Sequence, residues 1–332
     1  MIDLLLNIRN YEYIIFIIGF FLSLLLLYVF IRVLNKVKLG QAIRKLGPKS
    51  HQIKSGTPNI GGTIMIGAIL LLFALYLFLK ISSINEFNLD IYKLLMLFAP
   101  LIMYGSLGFI DDMIKAKSHK NDGLSPTVKL IFQIFWAALY FFIFLKENNT
   151  IINIFGYLVD LKWMYGLFIV FCFVGGSNAF NLVDGLDGLA TGLAIIILSF
   201  LLFISNNLTV SFFIIGLIAT LSAFLIFNFH PAKIFMGDSG SLAIGSTIVN
   251  LFIILKIEFL LVIFGFVMII ETLSVIIQVL YYKKTKKRVF LMTPLHHHFE
   301  LKGIKEEKVA IGFWIIQFIF GLIGLYIYYS YY

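Results

Sequence analysis

Ten long apolar segments, separated by short polar stretches, decide what this chain of 332 residues can fold into. They lie near residues 13–31, 60–79, 93–110, 128–145, 164–180, 189–205, 209–228, 239–255, 258–281 and 309–329. A helix of about 20 apolar residues crosses the hydrocarbon core of a bilayer. We therefore predict an all-α polytopic membrane protein of about ten transmembrane helices, built as one integral membrane domain over residues 1–332.

The composition excludes the other broad classes. Hydrophobic residues make up 61% of the chain and charged residues 13%, whereas a soluble domain is roughly half apolar and about a quarter charged. The net charge of +9 could indicate a nucleic-acid partner, but in a membrane protein it reflects basic loops on one side, so we expect no nucleic acid. The single cysteine, Cys172, lies in an apolar run, which predicts neither a disulfide framework nor a thiolate metal site.

The basic residues predict the orientation of the chain. The loops at 32–58, 111–129, 181–188, 229–238 and 282–308 share one side of a ten-helix bundle. They hold all of the 26 Lys and Arg residues except Arg9, Lys80, Lys93, Lys146, Lys162 and Lys256. By the positive-inside rule, this side is cytoplasmic and both termini are extracytoplasmic.

The chemically distinctive residues also fall in these cytoplasmic loops. Acidic residues are scarce, yet five of them stand at the ends of apolar segments on this side: Asp111, Asp112, Asp184, Asp187 and Asp238. A channel or pump would place ionisable groups along a path near mid-membrane. The pattern instead predicts an active site on the cytoplasmic rim, where a cytosolic reactant meets a membrane-embedded one.

The spacing of these acids favours a site for a divalent cation. Asp184 and Asp187 are one helical turn apart and share a face. Asp111 and Asp112 diverge by about 100° on a helix, so we expect only one of them to face a shared centre. Clustered carboxylates repel one another unless a cation joins them, and Mg²⁺ favours carboxylate and phosphate oxygens. The alternative is that these acids pair with lysines or cap helices.

Phosphate-binding features accompany the acids. The Gly237–Ser241 stretch, Gly-Asp-Ser-Gly-Ser, directly precedes an apolar helix, and its free amides and hydroxyls predict an anion site, such as one for a pyrophosphate. Lys115 and Lys129 can bind phosphate as point charges. The loop from Gln41 to Pro58 is basic and contains Lys54, although an ordinary positive-inside loop would look the same.

Half of the six histidines form the tripeptide His296-His297-His298. Consecutive side chains diverge too much for all three to ligate one ion. We expect hydrogen-bonding and electrostatic roles toward a nucleotide or phosphate, with one imidazole shuttling a proton; a purely structural role is the alternative. Glu271 is the one acid well inside a predicted span, and we interpret it as a helix break or a polar lining near the lipid site.

In this order, the clusters resemble the polyprenyl-phosphate N-acetylhexosamine-1-phosphate transferase family. The histidine segment with its following Phe-Glu resembles the branch that handles phospho-N-acetylmuramoyl-pentapeptide. The similar stretches are 41–62, Gly108–Asp112, Ser177–Gly188, Asn228–Ser241 and 287–303, within a match from about residue 40 to about residue 315.

The resemblance implies a ten-helix enzyme of the bacterial inner membrane, surrounded by membrane lipids and assembled as a homodimer. It implies Mg²⁺-dependent transfer of phospho-N-acetylmuramoyl-pentapeptide from UDP-N-acetylmuramoyl-pentapeptide to undecaprenyl phosphate, giving lipid I and UMP. Asp238 would ligate the metal, with Asp111, Asp112 and Asp187 nearby. The substrate contacts it implies are Lys54, Lys115, Lys129, Asn181, Asp184, Asn228, Phe235, Gly237 and His296, and we add Asp187, Ser241, His297 and His298 as candidates.

The mechanism and two other functions stay open from the sequence. We favour direct in-line attack, with Asp111 or Asp112 aligning or deprotonating the acceptor, over a covalent aspartyl-phosphate. A related transferase that uses a UDP-N-acetylhexosamine is the alternative within the same enzyme class. An ion-coupled transporter, suggested by ten spans and Glu271, is the alternative from another class.

Overall fold

The computed structural model describes residues 2–37, 57–83, 91–118 and 123–332. Helices dominate this part of the chain, and each of the ten apolar segments contains one. The helices are α1 (Ile2–Val37), α2 (Gly61–Ser83), α3 (Ile91–Ser118), α4 (Pro126–Phe144), α5 (Met164–Val183), α6 (Leu189–Ile204), α7 (Leu208–Asn228), α8 (Gly237–Ile254), α9 (Leu261–Phe264), α10 (Phe266–Thr285), α11 (Leu295–Leu301) and α12 (Glu306–Tyr331). A two-stranded hairpin, β1 (Ile151–Ile154) and β2 (Tyr157–Asp160), connects α4 to α5.

Nine of the helices in the described ranges are long and apolar enough to cross a membrane, as expected of a polytopic membrane protein. The exception is α6, the predicted span at 189–205. It has 16 residues and is therefore about 24 Å long, less than the roughly 30 Å of a bilayer core. Its apolar surface packs against α7 and α12, and most of its residues are buried. The sixth predicted span is thus formed by a shorter helix that its neighbours bury inside the bundle.

The predicted span at 258–281 needs a correction, because it is interrupted near its start. Residues Glu258–Leu260 form one 3₁₀ turn, α9 follows, and the chain breaks at Gly265 before α10. A broken helix in lipid needs partners for its freed backbone groups. Gln317 of α12 provides them, because its side chain donates to the Phe264 carbonyl and accepts from Val267 N at 3.3 Å.

Helix α8 lies at the centre of the bundle, packed against α2, α3 and α5. Its first turn approaches two neighbours at backbone distance. A Cβ added at Gly62 would lie 2.0 Å from Gly240 N, and one added at Gly108 would lie 2.1 Å from the Asp238 carbonyl oxygen. Glycine is therefore required on α2 and α3, and these two contacts fix where the first turn of α8 sits.

A proline in α3 adds a further link to α8. Pro100 has no N–H to donate to the carbonyl four residues earlier, so the Met96 carbonyl lacks its helical partner. Asn250 of α8 fills this position, because its Nδ2 donates to Met96 O at 2.8 Å. A bond of this kind satisfies a polar group that lipid could not satisfy.

A second group of polar residues lies just beyond the far end of α8, about 27 Å from its first turn. Glu258 is buried and accepts a hydrogen bond from Tyr165, and burial raises the pKa of its carboxyl. The hairpin lies beside it, with the turn residues Phe155 and Gly156 both at positive φ, as a two-residue hairpin loop requires.

Candidate active site

Three carboxylates meet where the end of α3 faces the first turn of α8. Asp111, Asp112 and Asp238 each place one oxygen within 4.8 Å of the others. Asp111 and Asp112 are almost fully buried. The expectation that only one of the adjacent aspartates faces the shared centre is wrong. Asp112 bonds backbone N–H groups in the first turn of α8. Asp111 is linked to Asp238 of the same turn by two lysines that contact both acids.

Asp112 caps α8. Its Oδ1 accepts from Asp238 N at 3.1 Å and its Oδ2 accepts from Ser239 N at 2.9 Å. The anion at this helix N-terminus is therefore Asp112, so a side chain of α3 occupies the anion site predicted from the Gly237–Ser241 stretch. Gly237 begins the helix at φ +71, where a Cβ would also lie 2.2 Å from the Asn59 carbonyl oxygen.

We expect Asp112→Ala to destabilise the protein in magnesium-free buffer. Two hydrogen bonds to a charged acceptor are lost at a buried helix end, which corresponds to about 2–3 kcal/mol. The loss should appear as a lower thermal unfolding midpoint in detergent. The control is Asp160→Ala in the exposed hairpin, and unfolding of Asp112→Ala at the wild-type midpoint would contradict the capping role.

Two lysines bridge the remaining carboxylates. Lys115 Nζ lies 2.6 Å from Asp111 Oδ2 and 3.2 Å from Asp238 Oδ2. Lys129 Nζ lies 2.9 Å and 2.6 Å from the same two oxygens. The alternative interpretation of the acids, pairing with lysines or capping a helix, is thus what the structure shows at Asp111, Asp112 and Asp238. Asp112 and Asp184 add two further carboxyl groups to this cluster.

Asn181 and Ser241 orient the other oxygen of Asp238. Asn181 Nδ2 lies 3.1 Å from Asp238 Oδ1 and 2.7 Å from Ser241 Oγ, and Ser241 Oγ donates to the Gly237 carbonyl at 2.9 Å. Ser241, a predicted substrate contact, is fully buried, and its hydroxyl bonds Asn181 and the Gly237 carbonyl. Phe235, a predicted nucleotide contact, is partly exposed just before this turn, and its backbone pairs with Pro58 and Gly61.

The two acids that follow α5 have different surroundings. Burial, with smaller contributions from the charges of Asp238, Asp112 and Asp187, raises the pKa of Asp184 to about 7. Asp187 instead belongs to a second group, in which its Oδ2 lies 3.0 Å from His230 Nδ1 and its N donates to Glu306 Oε1 at 2.7 Å. Asp187 is therefore not among the three carboxylates that share a centre.

His230 and Glu306 were not singled out from the sequence. Ligand atoms of Asp187, His230 and Glu306 lie within 4.8 Å of one another, which ties the start of α12 to the loop after α5. An acid at the start of the last apolar helix was the available signal for Glu306. The signal for His230 was its place directly before a proline in the loop after α7.

Asn228, another predicted substrate contact, is buried and bonded on both sides of its amide. Its Oδ1 accepts from Gly188 N at 3.2 Å and from Thr191 Oγ1 at 2.8 Å, and its Nδ2 donates to the Ile234 carbonyl at 3.0 Å. These bonds join the start of α6 to the loop before α8. Lys54 lies outside the described residues.

The three histidines have three different surroundings, which confirms that they cannot share one ion. His296 is fully buried and contacts Glu271, with Nδ1 3.4 Å from Oε1. His297 Nδ1 lies 2.8 Å from Glu300 Oε2, and His298 Nδ1 accepts from Leu291 N at 3.1 Å. Helix α10 is continuous through Glu271, so its interpretation as a helix break is wrong.

The donor set suits a hard divalent cation. Carboxylate oxygens are the protein ligands that Mg²⁺ prefers, and Asp111, Asp112 and Asp238 can each direct one oxygen to a common point. The ammonium groups of Lys115 and Lys129 already compensate part of the negative charge there. A cation bound here would be surrounded by groups that also attract phosphate oxygens.

Comparisons with known proteins identify relatives of this chain. The family model described as glycosyl transferase family 4 matches residues 94–256, which include the carboxylate cluster. A protein of Geobacillus kaustophilus (strain HTA426) named phospho-N-acetylmuramoyl-pentapeptide-transferase is 43% identical over 316 residues, covering 93% of this chain and 95% of the relative. Proteins of the same name from Bacillus pumilus (strain SAFR-032) and Bacillus subtilis (strain 168) are each 44% identical, covering 94% and 93% of this chain and 96% and 95% of their own lengths.

Proposed function

Because this chain belongs to the phospho-N-acetylmuramoyl-pentapeptide transferases of glycosyl transferase family 4, we propose that it transfers phospho-N-acetylmuramoyl-pentapeptide from a UDP carrier to undecaprenyl phosphate. The products are lipid I and UMP. The observation that carries this proposal is the meeting of Asp111, Asp112 and Asp238 with Lys115 and Lys129 at one end of an apolar helical bundle. A charged site at that end suits a cytosolic nucleotide and a lipid phosphate.

The protein resides in the bacterial inner membrane with this end of the bundle in the cytoplasm. The basic residues support that orientation, because the loops on this side carry most of the Lys and Arg. Both termini are then extracytoplasmic, as is the β1–β2 hairpin. Membrane lipids surround the outer helices α1, α4, α10 and α12, whose apolar residues are largely exposed.

The reaction exchanges one phosphoanhydride for another, so it needs no external energy source, and its barrier comes from bringing two anions together. Lys115 and Lys129 compensate this charge when phosphates displace them from Asp111 and Asp238. Oxygens of Asp111, Asp112 and Asp238 would hold Mg²⁺, which would supply further positive charge beside the pyrophosphate. Asn181 keeps Asp238 in place throughout.

The acceptor needs little help from a base. A phosphate monoester titrates near pH ~6, so the lipid phosphate is largely ionised at neutral pH and can attack directly, in line with the UMP leaving group. Asp112 is engaged with the α8 backbone and Asp111 with Lys115 and Lys129, so Asp111 would align the anionic acceptor through these two lysines. A phosphorylated enzyme trapped with a radiolabelled donor and no lipid acceptor would contradict direct attack.

The test is release of UMP by the purified protein with both substrates and Mg²⁺. We expect UMP and lipid product in equal amounts, and neither product when EDTA is added. Activity with a UDP-N-acetylhexosamine but not with the muramoyl-pentapeptide donor would identify the related transferase. Solute movement in liposomes without UMP release would identify the transporter.

We also expect divalent-cation binding to weaken as the pH falls from 8 to 6. The pKa of Asp184, about 7, means that this carboxyl is protonated at the lower pH and ionised at the higher, and each lost negative charge near the cluster lowers the affinity for a cation. The half-saturating Mn²⁺ concentration of substrate-free protein should rise about three- to tenfold. Asp184→Asn should flatten this dependence; an unchanged dependence in that variant would contradict the assignment.

A further inference from the structure

Glu271 is a buried acid that the proposed mechanism does not use. It lies within the membrane-spanning helix α10 with no exposed surface. Its Oε1 accepts from His296 N at 3.2 Å and lies 3.4 Å from His296 Nδ1. Its Oε2 has no hydrogen-bond partner within the described ranges. A carboxyl at this depth is costly, and its hydrogen-bonding and ionisable partner in the described chain is His296.

The imidazole of His296 connects this acid to the loop between α5 and α6. His296 is fully buried near the start of α11. Its Nε2 faces away from Glu271, toward Gly185, where an added Cβ would lie 2.3 Å from that nitrogen. Gly185 stands between Asp184 and Asp187. The ring therefore has one nitrogen toward the α10 carboxylate and the other toward the loop that carries these two acids.

We propose that Glu271 is a positioning residue that holds the proton of His296 on Nδ1, so that Nε2 keeps its lone pair toward the loop of Asp184 and Asp187. The nitrogen that carries the proton in a neutral imidazole is set by the hydrogen bond of the other. A carboxylate on one side of a histidine fixes the tautomer in this way in metal and triad sites.

This inference rests on the proposed function for its consequence and extends it to one group of the substrate. An Nε2 without a proton is a hydrogen-bond acceptor. Nε2 is buried without a hydrogen-bond partner among the described residues, and an N–H or O–H of the nucleotide donor would reach it when the donor displaces the loop of Asp184 and Asp187. His296 then orients the donor and transfers no proton. The competing view is that Glu271 only holds the start of α11 through His296 N.

The ¹⁵N spectrum of histidine-labelled full-length protein in nanodiscs distinguishes these views. His296→Gln identifies the His296 signals among the six histidines. We expect the Nδ1–H tautomer in the wild type and in Glu271→Gln, whose side-chain oxygen still accepts. In Glu271→Leu the ring should shift to the Nε2–H form. The matched control is Ser274→Ala, one turn further along α10, which should leave the spectrum unchanged.

The kinetic arm uses the wild type, Glu271→Gln, Glu271→Leu and Ser274→Ala. Glu271→Leu should lower kcat for UMP release by about 10- to 100-fold, the usual cost of removing a carboxylate that orients a histidine, and Glu271→Gln should recover most of that loss. An Nε2–H tautomer in the wild type would overturn the proposal, as would an unchanged tautomer in Glu271→Leu. If Glu271→Leu does not fold, the Nδ1–H tautomer in both the wild type and Glu271→Gln supports the proposal, and the Nε2–H tautomer in either of them overturns it. The spectra can be recorded on protein without activity. The tautomer proposal and the proposed function can therefore fail independently, the first in the spectra and the second in the UMP-release assay.

Discussion

Replacing Asp238 by asparagine is expected to slow UMP release at least about a thousandfold while leaving the protein folded in the membrane. Asp238 is the acid on which the site converges, because its two oxygens contact Lys115, Lys129 and Asn181. The substitution removes one charge from the cation site, where preorganised electrostatic contacts contribute about 10²–10³ each to the rate. The first turn of α8 should persist, because Asp112 bonds the backbone N of Asp238 and not its side chain.

UMP release and thermal unfolding of Asp238→Asn are measured together. Asp160→Asn is the matched control, since Asp160 is an exposed acid that bonds Thr150 in the hairpin. Activity of Asp238→Asn within tenfold of the wild type would show that the cation and the reacting phosphates lie elsewhere. Loss of activity in Asp160→Asn as well would attribute the effect to the loss of charge in general.

Gly62→Ala is expected to be among the most destabilising single changes in the chain. The new methyl carbon would lie 2.0 Å from Gly240 N and 2.2 Å from Gly240 Cα, so α2 and α8 must separate. Backbone atoms cannot move aside as a flexible side chain can, and we expect a loss of about 3 kcal/mol or more. Because the first turn of α8 carries Asp238, protein that still folds should also lose most of its activity.

Gly67→Ala is the control for this prediction, five residues along the same helix. A Cβ at Gly67 meets nothing within 4 Å, so alanine should be neutral or stabilising by up to about 1 kcal/mol through its helix propensity. Thermal unfolding midpoints in one detergent give the comparison. Equal stability of the two variants would mean that α2 and α8 are not in backbone contact.

The helices could be predicted from the sequence because a segment in lipid must satisfy its own backbone hydrogen bonds. Apolar length alone therefore located all ten. It could not locate the interruption at Gly265, since the side chain that repairs it, Gln317, comes from another helix. It could not show that α6 is buried by its neighbours, because a buried helix and a lipid-facing helix can have the same apolar composition.

The members of the site were easier to predict than their partners. Scarce acids at the ends of apolar helices pointed to Asp111, Asp112 and Asp238, and these do meet. That Asp112 would cap α8 depends on the backbone approach of α3 and α8 at Gly108. Sequence spacing holds no information on an approach between helices more than 100 residues apart. Spacing likewise gave no sign that Asp187 contacts His230 and Glu306, which lie 43 and 119 residues further along the chain.

The central claim is that acids from separate turns form one divalent-cation site. Its most direct test is a Mn²⁺ titration of the substrate-free protein, followed by electron paramagnetic resonance, for the wild type, Asp238→Asn and Asp160→Asn. We expect one bound Mn²⁺ per chain in the wild type and in Asp160→Asn, displaced by Mg²⁺, and none at the same concentration in Asp238→Asn. Equal binding by Asp238→Asn, or no binding by the wild type, would contradict the account.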